Sequence, residues 1–199
     1  IRSWTVLAPM TEMTTRLSYA PEAAVRGVLS GQAYLALLTA ASAEQEPSEG
    51  MAAQTAQLRD ALGAGNGQIR YQGMKRLWDD RTGGADPYAA LILTSRAAAA
   101  MPTSIDADED PWQLIGSMLA GGYDRSVAAW LPKLDRGSRT WGILAVGNPQ
   151  ALGGTTASVV DDFASEDDSK GQQRSKLLLA GLAGLERISA EDQASAASQ

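Results

Sequence analysis

The stretch Asp110–Val146 reads DPWQLIGSMLAGGYDRSVAAWLPKLDRGSRTWGILAV, and it decides the fold. Asp110 suits an N-cap, since its carboxylate can accept from the unpaired N–H groups of a first helical turn. Pro111 suits the first helical position, where a missing N–H costs nothing. Trp112, Ile115 and Leu119 then fall at helical spacing, flanked by Leu114 and Met118, which predicts an amphipathic helix. Gly121-Gly122 stops it. Asp124 can cap a second helix with Val127, Trp130, Leu131 and Leu134 on its apolar face, loosened or ended at Pro132. After Gly137-Ser138, the run Thr140–Val146 is short and apolar, and its periodicity alone fits a buried strand or a buried helix. Its helical neighbours favour a third short helix, ended by Gly147-Asn148-Pro149. Three of the five tryptophans lie here. Core packing between short antiparallel helices explains them more simply than a ligand would.

The same punctuation extends outward. Asp86-Pro87-Tyr88 repeats the cap, proline and aromatic of Asp110-Pro111-Trp112, as stacked helical hairpins would. Leu7, Met10, Met13 and Leu17 suit a short helix interrupted by Pro9. A long helix is expected from Ser18 to Ala43, with Ala24, Val28, Gly31, Leu35 and Leu38 on one face. A helix over 51–62 ends at the glycine-rich Gly63–Gly67. That loop has neither the preceding strand and glycine spacing of a dinucleotide loop nor the Gly-Lys-Ser/Thr of a phosphate loop, so it reads as a helix-to-helix turn. Another helix spans 69–80, and Thr82–Gly84 is a turn. Toward the C-terminus, Val159–Phe163 suits a helical turn. Gln172–Ile188 suits a helix apolar on two sides, with Leu178, Leu182 and Leu185 on one and Leu177, Gly181, Gly184 and Ile188 on the other.

The resulting expectation is an all-α protein of eight or nine short antiparallel helices in stacked hairpins, either α-solenoid-like or an irregular bundle. Residues 1–188 read as one helical domain and 189–199 as a polar, disordered tail.

Composition narrows the function. The 199 residues contain no histidine and no cysteine. That removes His-dependent triads, thiolate nucleophiles, disulfides and the usual transition-metal ligands. The formal charge is −6 and the sequence pI is about 4.7. No run of Lys or Arg is present, so nucleic-acid binding is not expected. The longest apolar tract, Val28–Ala41, is broken by Gly31-Gln32 and is short for a bilayer span, so no membrane insertion is expected. The reading is a soluble protein, cytoplasmic or periplasmic. Ile1 in place of a methionine suits a processed chain or a segment of something longer, including a subunit of a larger assembly.

No cofactor is expected. Asp106, Asp108 and Asp110 alternate as in a calcium loop, but the glycine and glutamate positions of such a loop hold Pro111 and Ser117, so no metal site is assigned. No nucleophile elbow or Ser-x-x-Lys pair is present. Paired carboxylates remain, as in a glycoside-hydrolase-like enzyme, with Glu22, Asp79, Asp80 and Asp124 as candidates and no spacing that selects a pair. The preferred expectation is a protein- or peptide-binding helical module. Its candidate binding residues are Arg70, Tyr71, Arg76 and Trp78, on the one basic, aromatic-containing segment, together with Tyr123.

Overall fold

The computed structural model describes residues 2–80, 86–108, 111–148 and 155–198. The expected cap at Asp110, the turn at Thr82–Gly84 and the stop at Pro149 lie outside those residues. Among the described residues there are twelve α-helices, and the β structure is one isolated bridge between Thr155 and Ile188. The protein is all-α, with helices in stacked hairpins. Contacts cluster into two compact units. Unit one is Ile1–Ala107 with Ala120–Tyr123, and unit two is Asp108–Leu119 with Asp124–Gln199. No described helix is long and apolar enough to cross a membrane.

Unit one holds α1 (Arg2–Thr5), α2 (Met13–Val25), α3 (Gly31–Glu44), α4 (Glu49–Gly63), α5 (Gly67–Asp79) and α6 (Pro87–Ala99). The long helix expected over 18–43 is two helices. Gly27, at φ 69°, ends α2. Its N–H donates to Ala24 at 2.9 Å, and the Val28 N–H reaches back to Ala23 at 2.8 Å. This pair of bonds is a Schellman motif, which needs a left-handed residue where only glycine is unstrained. Ser30 then caps α3, its Oγ accepting from Ala33 N. The helix expected through Leu7 and Met10 is absent. Those residues lie in turns around Pro9, with Met10 96% exposed, and α2 begins at Met13.

The glycine-rich turn after α4 is a helix-to-helix connection. Asn66 Oδ1 accepts from Gln68 N at 2.8 Å and Ile69 N at 3.3 Å, capping α5. Asp86 caps α6 in the same way, through Tyr88 N and Ala89 N, with Pro87 in the first turn. Helix α6 packs against α2, α3, α4 and α5, so the hairpins of unit one close into an irregular bundle rather than a linear stack. Its alanines allow that closeness. Gly31 of α3 lies so near Leu93 of α6 that a Cβ there would be 2.1 Å from the Leu93 carbonyl oxygen.

Unit two holds α7 (Trp112–Ala120, up to Leu119), α8 (Asp124–Ala128), α9 (Arg139–Gly147), α10 (Ala157–Ser165), α11 (Gln173–Gly184) and α12 (Ala190–Ala197). The helical reading of Thr140–Val146 holds: Ser138 Oγ accepts from Trp141 N and starts α9. Helix α8 is shorter than its apolar pattern suggests. Pro132 lies in a 3-10 turn, Leu131–Lys133, that replaces its last part. Trp130 and Trp141 are buried, as expected for core residues. Trp112 is half-buried, with the Arg139 guanidinium 3.7 Å above its ring. That is a cation–π contact. Trp141, Val160, Phe163, Leu178 and Leu182 form one cluster with Ile188.

The end of the chain differs from expectation. Helix α11 stops at Gly184, and Ala190–Ala197, read as a tail, is helical. Ser189 and Asp192 form a capping pair, with Asp192 N donating to Ser189 Oγ at 3.0 Å and Ser189 Oγ donating to Asp192 Oδ2 at 2.6 Å. Asp192 Oδ1 also accepts from Ala157 N, the first amide of α10, at 3.0 Å. One carboxylate thus caps α10 and holds the Ser189 hydroxyl that caps α12. The Ser189 hydroxyl and the Ala157 amide hold it below its ordinary pKa. Asp167 plays a similar part for α11. Burial pushes its carboxyl up, but bonds from Ser169 and Ser175 outweigh that and hold it well below the usual carboxylate range.

Helix α11 closes with the Schellman pair Arg187 N to Leu182 O at 2.8 Å and Glu186 N to Ala183 O at 3.1 Å. Here the left-handed residue is Glu186, at φ 56°. The following Arg187 donates its guanidinium to the carbonyls of Ala145 and Val146 in the last turn of α9. A cation there offsets the helix dipole. Because a side chain in left-handed backbone is strained, Glu186→Gly is expected to stabilise unit two by about 1 kcal/mol. Glu186→Ala is expected to give no such gain. Paired urea titrations check this, and equal effects from the two variants would contradict the backbone argument.

Candidate functional site

Unit one contains a cleft of about 830 Å³. The turn from α2 to α3 forms one wall, through Gly27, Ser30 and Gln32. Arg70 of α5, Arg96 of α6, and Tyr123 in the segment after α7 supply further polar lining, while Val25, Leu29, Leu62 and Ile92 are apolar parts. The volume lies within the range of small-molecule and peptide pockets.

Its electrostatics are one-sided. The lining includes two guanidinium groups and no carboxylate. Neither arginine makes an ion pair among the described residues. Arg96 is exposed, whereas Arg70 is half-buried. The Arg70 Nε is shielded from solvent without a hydrogen-bond partner. Buried donors are nearly always satisfied in folded proteins, so this atom is an exception, but one closed to water is closed to a ligand in the cleft as well. The α3 N-terminus borders the same space, and its first-turn amides at Gly31 and Gln32 have no intrahelical acceptor.

The five binding candidates separate. Arg70 and Tyr123 line the cleft together. Tyr71 and Trp78 are each 2% exposed and belong to the core, with ring centroids 6.4 Å apart at 74°. The Trp78 Nε1 donates to Thr94 Oγ1 at 2.8 Å. Arg76 is exposed and faces Asp60 at 3.7 Å. Arg96, Ser30 and Gln32 were not singled out by sequence, since an isolated arginine in an alanine-rich helix carries no motif.

The carboxylate candidates do not gather into one site. Glu22 pairs with Arg26 at 3.0 Å and accepts from Ser3 Oγ at 3.3 Å. Asp79 is an exposed residue at the end of α5. Asp80 lines a cavity of about 40 Å³ with Asp86, Tyr34 and Gln54. That is room for a few waters, not a sugar ring. The Tyr34 hydroxyl there donates to Gln54 at 3.0 Å, and its burial pushes its pKa up. Asp124 belongs to unit two, where it begins α8 and its backbone carbonyl accepts from Asn148. Among the described residues, no group of three or more acidic side chains is arranged to hold a metal ion.

Unit two has its own groove, of about 640 Å³, between α10, α11 and α12. It is lined by Asp161 and Lys176, of opposite charge, beside Leu179 and Ala180. It lacks the single-sign character of the unit-one cleft. No family model, curated protein or solved structure matches this chain.

Proposed function

We propose that the protein is a helical binding module whose unit-one cleft receives a peptide segment of a protein partner. The observation that carries this is the cleft's composition: about 830 Å³ with apolar walls and two arginines unopposed by any lining carboxylate. In a chain of net charge −6, an unopposed cationic cleft is the local exception. Clefts lined by one sign of charge concentrate ligands of the other. Apolar side chains within the cleft supply the contact area that an extended or helical peptide needs.

The test is to pan the full chain against a displayed library of random decapeptides, then to measure the enriched peptides on wild-type protein and on Ala100→Trp. Ala100 is an exposed lining residue just after α6, so a large side chain there fills the cleft without entering the core. The expected result is enrichment of peptides that lose about tenfold or more in affinity on the tryptophan variant, equivalent to about 1.4 kcal/mol of contact. No enrichment, or equal binding to both proteins, would refute the reading.

A further inference from the structure

We infer that the basic side of this cleft is a carboxylate subsite. In it, Arg70 and Arg96 hold an acidic group of the bound peptide, and Val25, Leu29 and Ile92 take an adjacent apolar side chain. The inference rests on the peptide-binding reading and gives it a specificity. Three observations converge on it. The two arginines line one cleft and neither is neutralised by a carboxylate among the described residues. Arg70 is half-buried while Arg96 is exposed, so the cleft offers one sheltered and one solvent-facing guanidinium. The Ser30 Oγ is committed to Ala33 N, which leaves the Gly31 and Gln32 amides beside the same space.

The chemistry favours a carboxylate. A guanidinium presents donors in a planar fork that matches two oxygens of one carboxyl group. The Gly31 and Gln32 amides, which line the same cleft, add neutral donors and the positive end of the α3 dipole. The apolar walls border this polar side, so a ligand that fits is an acidic residue next to a Leu- or Val-sized one. The carboxylate can come from an Asp or Glu side chain or from the peptide's own C-terminus, and the probes separate these.

The experiment uses fluorescence anisotropy on the full chain with four labelled decapeptides. Two alternate Leu with Glu and two alternate Leu with Gln, each with a free or an amidated C-terminus. The expected result is tighter binding of a carboxylate-bearing probe by about tenfold or more, the usual advantage of a charge-assisted bond. Arg96→Gln and Arg70→Gln should each remove that advantage, and Arg70→Lys should restore only part of it. Preference for Glu over Gln identifies a side-chain source, and loss on amidation identifies the terminus. Arg96 is exposed, so its variant tests the subsite even if Arg70→Gln disturbs packing. Equal binding of all four probes, still weakened by Ala100→Trp, would overturn the carboxylate subsite and leave the peptide-binding reading standing. If no peptide binds but benzoate shifts the Gly31 and Gln32 amide resonances in wild type and not in Arg96→Gln, the subsite stands and the peptide reading falls. Silence from every probe would overturn both.

Discussion

Trp78→Ala is expected to destabilise unit one by about 4 kcal/mol, within the range for truncating a large buried aromatic. The indole is 2% exposed, so the substitution empties a cavity that its surroundings cannot fully close. It also removes the edge-to-face partner of Tyr71, 6.4 Å away, a contact of about 0.5–1.5 kcal/mol beyond burial. Trp78→Phe separates the terms. It keeps a ring in the space but deletes the Nε1–H that donates to Thr94 Oγ1. Thr94 still donates to the carbonyl of Ala90 at 2.8 Å. The expected cost of Trp78→Phe is therefore about 1–2 kcal/mol, that of a lost buried hydrogen bond with modest repacking. Urea unfolding of both variants beside wild type reads the difference. An alanine variant within 1 kcal/mol of wild type, paired with lost peptide binding, would return Trp78 to the role of a ligand contact.

That residue also shows where sequence reading stops. Helix α5 was legible because Tyr71, Met74 and Trp78 recur at helical spacing after the glycine-rich turn Gly63–Gly67, whereas its cap, Asn66, was not read. Periodicity gives the apolar face of a helix, and here that face is core. It does not say whether a face meets protein or ligand, and the basic residues around it made the segment look like a surface. Arg70 and Arg96 line the same cleft only because α5 and α6 pack together. No local pattern records that packing, so the cleft was half legible, through Arg70 and Tyr123 alone.

The fold was legible wherever a cap or a stop is written in one or two residues. Ser138, Asp86 and Gly121-Gly122 are of that kind. The failures occurred where a competing signal was strong. Residues 18–43 have continuous helical character, yet Gly27 and Ser30 together end one helix and start the next. Residues 189–199 are polar and rich in alanine and serine, which suits disorder. The Ser189–Asp192 capping pair and the tie from Asp192 to Ala157 are what order α12, and the second of these is a tertiary contact.

Gly31→Ala is expected to cost about 3 kcal/mol, at the upper end for adding one methyl to a packed interior. The added Cβ would be 2.1 Å from the Leu93 carbonyl oxygen and 3.3 Å from a methyl of Leu62. A flexible side chain could move aside, but the first obstacle is the backbone of α6. Relief therefore requires α3 and α6 to separate along their contact. Because Gly31 borders the cleft, that separation should also weaken peptide binding, whereas Trp78→Ala should act on stability alone as long as the unit is folded. Gly50→Ala is the control, since a Cβ there meets nothing within 4 Å. It lies in the first turn of α4, and with the entropy of the unfolded chain reduced it should be neutral or stabilising by up to about 0.5 kcal/mol. The same atom added at two glycines thus has opposite signs, decided by whether a second helix lies against the backbone. Equal effects at both positions would mean that α3 and α6 are not held at this distance. The cleft built on their contact would then lose its floor as an argument for a preformed binding site.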